Sequence, residues 1–219
     1  MNVFSSQQLD QATAWLQQGH LLAYPTEAVW GIGCDPFNRP AVSALLALKD
    51  RPIEKGLIVL TPSADYITAF LTDLSAAHRE QILASWHTAA EHTTPTSAQI
   101  ANPQATTQRQ ANTWLLPIPK AIDIPDWLTG GRDSLAVRVI APHTTIAKLC
   151  AHIATTNPAN PYGFLVSTSC NPSGGKPASL LAEAQAYFGD AIGYLDAPTL
   201  GYTQPSQIRD AVTGALVRL

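Results

Sequence analysis

The apolar positions of this chain fall into two kinds of pattern. Short unbroken runs occur at 21–24, 56–60, 114–118, 163–167 and 194–196, and each reads as a buried strand. Residues 134–140 alternate instead, with Leu135, Val137 and Val139 on one side and Ser134, Ala136 and Arg138 on the other, as a strand with two different faces does. Two further strands, 207–212 and 215–218, flank Thr213-Gly214, a two-residue hairpin loop. Between the strands the apolar spacing becomes helical. Leu9, Ala12 and Leu16 follow a Ser5-Gln8 capping box and stop at Gly19. Residues 40–49 carry the stripe Val42, Leu45 and Leu46 behind the cap Asn38, and Pro52 prevents continuation. Ser63 and Ser75 cap helices at 64–71 and 76–86, the second burying Ile82, Leu83 and Trp86. Helices at 144–154 and 179–188 complete the set. The alternation of helix and strand, with strands pairing at the end, predicts one α/β domain over residues 1–219 built on a mixed sheet.

The pattern lapses once. Residues 87–112 are rich in Thr, Ala, Gln, Asn and Pro with no apolar period. So long a structureless stretch is uncommon inside a domain, so it reads as a surface insertion, with a lid over a site as the alternative. Composition narrows the class further. No run of 18 apolar residues is present, and the first residues lack a basic segment leading into an apolar one, so neither a membrane span nor a signal peptide is expected. Three scattered cysteines, Cys34, Cys150 and Cys170, fit ordinary thiols in a reducing compartment, which points to the cytoplasm. A net charge of −3 argues against nucleic-acid binding by bulk electrostatics.

The candidate chemistry is cationic. Only 13% of residues are charged, yet Lys49, Arg51 and Lys55 cluster between two strands. Cations in a last helical turn are often just dipole partners. Lys49, however, continues the apolar stripe of its helix, and a core-facing lysine needs a partner or a ligand. Arg138, on the polar side of its strand, could present a two-pronged fork to phosphate or carboxylate. The stretch from Ser167 to Gly175 (STSCNPSGG) opens a strand into hydroxyls, an amide and glycines, a setting for backbone anion nests. It is no P-loop, and Gly31-Ile32-Gly33 is no dinucleotide fingerprint. Cys150 and His152 have no zinc spacing, so no metal site is assigned.

Five segments in order resemble the YrdC-like family, the threonylcarbamoyl-AMP synthases, in its short bacterial form: AYPTEAVWGIGCDP (23–36), LKDRPIEKGLIVL (48–60), DSLAVRV (133–139), LVSTSCNPSGGKP (165–177) and PSQIRDAVTG (205–214). The family's Lys-x-Arg and Ser-x-Asn pairs stand here as Lys49-Asp50-Arg51 and Ser169-Cys170-Asn171. The resemblance covers nearly all of the chain outside 87–112. It implies a twisted mixed sheet with helices and a basic concave face. The implied reaction joins L-threonine, bicarbonate or carbon dioxide, and ATP into threonylcarbamoyl-AMP and pyrophosphate. The product serves N6-threonylcarbamoyladenosine formation at position 37 of ANN-decoding tRNAs, the transfer being made by other proteins of the pathway, with room for a weak tRNA contact.

On that resemblance Lys49 and Arg51 are the catalytic candidates, neutralising the triphosphate. Thr26, Lys55, Thr113, Arg138, Ser167, Ser169, Asn171 and Ser206 are the candidates for binding threonine and ATP. Magnesium would travel mainly on the ATP phosphates. The alternative is a non-catalytic RNA-binding module of tRNA or ribosome maturation using the same face. The chain departs from the family at Trp86, which is followed by His87-Thr88-Ala89-Ala90 rather than Pro-Gly-Pro-x-Thr, leaving Thr113 as the nearest match to that threonine. Cys170 replaces the usual alanine of the serine turn. At 219 residues the chain has no room for the further C-terminal domain of longer relatives.

Overall fold

The computed structural model describes residues 1–90, 110–202 and 204–218. Ten strands, β1 (Asn2–Phe4), β2 (Leu22–Pro25), β3 (Trp30–Gly33), β4 (Ile58–Thr61), β5 (Asn112–Pro117), β6 (Ser134–Val139), β7 (Leu165–Ser169), β8 (Gly193–Leu195), β9 (Gln207–Asp210) and β10 (Leu216–Arg218), form one sheet in the order β1-β8-β2-β3-β7-β4-β6-β5-β9-β10. The sheet is mixed: β1–β8, β8–β2, β4–β6 and β5–β9 are parallel and the remaining pairs antiparallel. The helices are α1 (Leu9–Gln17), α2 (Arg39–Leu48), α3 (Ala76–Ala90), α4 (Asp126–Thr129), α5 (Thr145–Thr156) and α6 (Leu181–Phe188).

Local chemistry accounts for most boundaries. The Asn38 side chain accepts from the Ala41 N–H at 3.1 Å, and Thr144 does the same for Ala147 at 3.2 Å, each satisfying a first-turn donor of its helix. Ser75 accepts from the His78 N–H at 3.2 Å. Other expectations need correction. The Ser5 N–H donates to Gln8 Oε1 and closes a turn ahead of α1, and Gln8 itself occupies the cap position without a side-chain bond to a first-turn N–H. Residues 64–71 wind as a 3-10 helix kinked at Ile67 rather than as an α-helix. The Thr213-Gly214 hairpin loop is wider than two residues. Strand pairing ends at Asp210, whose carboxylate accepts from the Val212 and Thr213 N–H groups at 3.0 and 2.8 Å and stabilises the longer turn. Strands β1 and β3 add to the expected set: the first is three residues long, and the second contains two glycines, which weaken a strand pattern. The segment expected as an insertion lies mostly outside the described residues. At its edges α3 continues to Ala90 and β5 begins at Asn112. Trp86 donates to the Asn112 carbonyl at 3.1 Å and ties α3 to β5.

The sheet separates two apolar layers. On one side α2, α3 and the 3-10 segment bury Val42, Leu45, Phe70, Ile82 and Trp114 with Val59, Val137 and Val166 of the central strands. On the other, α1 and α5 pack Leu16, Leu149 and Ile153 against Leu22, Tyr24, Leu60 and Leu165. These two helices cover only part of their face. Beside them, at the ends of the same strands, the sheet opens into a cleft of about 450 Å³. Among the described residues no helix is long and apolar enough to cross a membrane.

Candidate active site

The floor of the cleft is laid down by strand alternation. Ile58 of β4, Arg138 of β6, Ser167 of β7 and Gly31 of β3 line it, while their immediate neighbours Val59, Val137, Val166 and Ile32 point into the opposite core. Gly31 supplies the depth. A Cβ there would stand 3.0 Å from the Tyr24 ring, 3.2 Å from Thr26 Cγ2 and 3.3 Å from Ser167 Oγ. Gly33 has a structural role: a Cβ on it would fall 1.6 Å from the Val166 carbonyl oxygen, so β3 and β7 can approach this closely only over a bare backbone. Tyr24 lies beneath, donating its hydroxyl to that same carbonyl at 2.6 Å, and burial pushes its phenol far up.

The two cations at the end of α2 part company. Asp50 has a left-handed backbone, φ 45°. The Arg51 N–H reaches back to Leu46 O at 3.0 Å and the Asp50 N–H to Ala47 O at 3.2 Å, the paired bonds of a Schellman turn with aspartate where glycine is usual. This reversal separates Lys49 from Arg51. Arg51 lines the cleft, braced by a 2.8 Å bond from Nη2 to the Gly56 carbonyl. Lys49 does not line it. Its ammonium, on a side chain only 8% exposed, donates to Ser169 O at 2.7 Å, to Asn171 O, and to Asn171 Oδ1 at 3.1 Å. The partner that a core-facing lysine needs is therefore the turn after β7. Burial lowers its pKa below the ordinary value.

That turn is heavily fastened. The Asn171 amide donates to Pro172 O at 2.8 Å and Gly175 O at 2.7 Å. Cys170 N–H bonds to Trp30 O, and Ala178 N–H to Cys170 O, both at 2.9 Å, closing the excursion against β3. The Cys170 thiol is buried and pushed up to about 12, mainly by desolvation, so it is a poor nucleophile near neutral pH. Fixed in this way, the strand end presents Ser167, Thr168 and Ser169 to the cleft.

Of the ten residues singled out in the sequence, the structure brings Thr26, Arg51, Arg138, Ser167, Ser169 and Ser206 together around the cleft. Lys49 and Asn171 stand behind it in the turn. Thr113 is buried behind Ser206, to which it donates at 3.1 Å. Lys55 is exposed, away from the lining. Sequence reasoning passed over Glu27. Its side chain lines the cleft at 4% exposure, with Oε2 3.6 Å from Arg138 Nη1. The available signal was a lone carboxylate in residues 11–34, a stretch with no other Asp, Glu, Lys or Arg. Among the described residues no group of three or more His, Cys, Asp or Glu side chains is placed to hold a metal ion.

The model of the Sua5/YciO/YrdC proteins, described as "Telomere recombination", matches residues 14–219. The chain belongs to this family. Within it the chain is 54% identical to a threonylcarbamoyl-AMP synthase of Psychrobacter cryohalolentis over 95% of its own length and 94% of that protein's. It is 43% identical to the Moraxella catarrhalis protein of the same name, over 99% and 97%. Among solved structures of the family, E. coli YciO superposes with a TM-score of 0.66 at 17% identity, covering 100% of this chain and 95% of that one. P. abyssi Sua5 complexed with L-threonine gives 0.62 at 21% identity, covering 96% and 54%. These distant likenesses establish the shared Sua5/YciO/YrdC fold.

Proposed function

We propose that this protein is a threonylcarbamoyl-AMP synthase, joining L-threonine, bicarbonate or carbon dioxide, and ATP with release of pyrophosphate. The observation that carries this reading is the 54% identity, over nearly the full length of both chains, to a protein of that name. The cleft suits the chemistry. Carboxylation of the threonine amine creates a carbamate, one oxygen of which attacks the α-phosphorus of ATP as the bond to pyrophosphate breaks. Such a step needs alignment and neutralisation of spreading negative charge more than a strong base.

In this assignment Arg51 neutralises charge on the phosphates, and Ser167, Ser169 and Ser206 donate hydroxyls to nucleotide and carbamate oxygens. Thr26 and Arg138 receive threonine, the guanidinium taking its carboxylate. Lys49 and Asn171 act on the reaction by holding the serine turn, and Thr113 by orienting Ser206. Magnesium enters with the ATP phosphates. In this reading the product passes to other proteins that transfer the threonylcarbamoyl group to tRNA, and the reaction belongs to the cytoplasm. The test is pyrophosphate release by the purified protein with threonine and bicarbonate each omitted in turn. Release requiring both is the expected outcome. Release requiring neither, together with salt-dependent RNA binding, would turn the reading to an RNA-binding module.

A further inference from the structure

The cleft floor holds a buried carboxylate and a buried guanidinium side by side. Glu27 and Arg138 are 4% and 8% exposed, and their nearest charged atoms, Oε2 and Nη1, lie 3.6 Å apart, beyond good hydrogen-bond length. Neither group is satisfied by this contact. Glu27 Oε2 and Arg138 Nε are both buried without a hydrogen-bond partner. Burying charged groups so incompletely paired costs stability, and such a pair persists where a ligand completes it.

Resting on the synthase reading, we infer that Glu27 is the receptor for the α-ammonium group of threonine. An α-amino acid carries its ammonium and carboxylate on one carbon, about 3 Å apart, and a carboxylate beside a guanidinium is the complementary arrangement. The ammonium donates to Glu27 while the carboxylate bridges to Arg138, so both orphaned atoms gain partners together.

The same contact gives the reaction a direction. With bicarbonate as donor, the nitrogen–carbon bond forms, one carbon–oxygen bond of bicarbonate breaks, and the products are the carbamate, one water and one proton released to solvent. The nitrogen substituent thereby changes from cationic to anionic. Glu27 attracts the substrate before this step and repels the carbamate after it, moving the new oxygens toward Arg51 and the β7 hydroxyls on the same cleft. Glu27 is a positioning residue here, with no bond made to it.

The test compares L-threonine with the analogue bearing a hydroxyl in place of the α-amino group, each titrated calorimetrically into the parent protein and into Glu27→Gln. The parent should bind threonine about tenfold or more tightly than the analogue, the scale of one charge-assisted hydrogen bond. In Glu27→Gln the ratio should fall to about one, with ATP affinity within about twofold of the parent. A ratio that survives in the variant places the amine elsewhere and overturns the inference. Equal weakening of both ligands leaves Glu27 only bracing Arg138 and overturns it too. A ratio of one in the parent does so without any variant. A parent that binds no threonine at all overturns the synthase reading along with it.

Discussion

One face of the sheet is two different materials. Under α1 and α5 it is dry and closed, and a few ångströms along the same strands it is a polar cleft. The change takes two residues: Tyr24 to Thr26 leaving β2, Leu60 to Ile58 on β4, Ile140 just past β6 to Arg138 within it, and Leu165 to Ser167 on β7. Because strand side chains alternate with period two, each step keeps the face and moves about 7 Å along it. Leu60 pairs with both Arg138 and Leu165, so the boundary crosses the strands obliquely. The lesson is that a strand's alternating pattern locates a face, and polar residues entering that face, as at Thr26, Arg138 and Ser167, locate the site.

Substitutions on either side of the boundary should differ in kind. Leu165→Ala on the dry side should cost about 2–5 kcal/mol of stability, read by urea unfolding, with activity per folded molecule retained. A loss below about 1 kcal/mol would mean that the α1/α5 layer is loosely packed there. Arg51→Ala on the polar side should reverse the pattern. Threonine-dependent pyrophosphate release should fall about a hundredfold, with the unfolding midpoint close to the parent's. Near-normal turnover would remove Arg51 from the site.

Lys49→Met tests the anchor of the turn behind the polar side. Losing the anchor of the serine turn should lower pyrophosphate release about tenfold and raise amide exchange across residues 165–177. It should also change the pH dependence of stability. Burial lowers the folded-state pKa of Lys49 below the ordinary 10.5, so between those two values the unfolded chain holds more protons. Stability contributed through this group therefore rises with pH in that window, and the methionine variant should lack that rise. The smallest effect belongs to Asp50→Gly. Relief of the left-handed backbone should stabilise the protein by about 0.5 kcal/mol with unchanged turnover, measured by thermal unfolding and pyrophosphate release.

Much of this architecture was legible because it is written in period. The strand with Arg138 showed its two faces directly, and the cap at Asn38 and the stripe of α2 placed Lys49 on the buried side. Hidden from that reading were features whose reason lies far away in sequence. Gly33 carries no sign of its role until Val166 is brought against it. Lys49 looks like a cation at a helix end until Ser169 and Asn171 arrive to accept from its ammonium. Glu27 gains meaning only beside Arg138, more than a hundred positions later. Pairings of that range leave no local period to detect.

The same long range sets when the cleft comes into being. Its lining runs from Thr26 to Ser206, and the strand that follows Ser206 must dock on β5, while β1 waits for β8. Closing such distant pairs is slow, because chain entropy is lost before the contacts that reward it form. During synthesis the arginines and the serine turn emerge well before the segment carrying Ser206, so the ligand-ready cleft is completed only as that last wall leaves the ribosome. Ligand bound across it then acts as a late clasp, stabilising the finished sheet over every partly folded form that lacks the final strands.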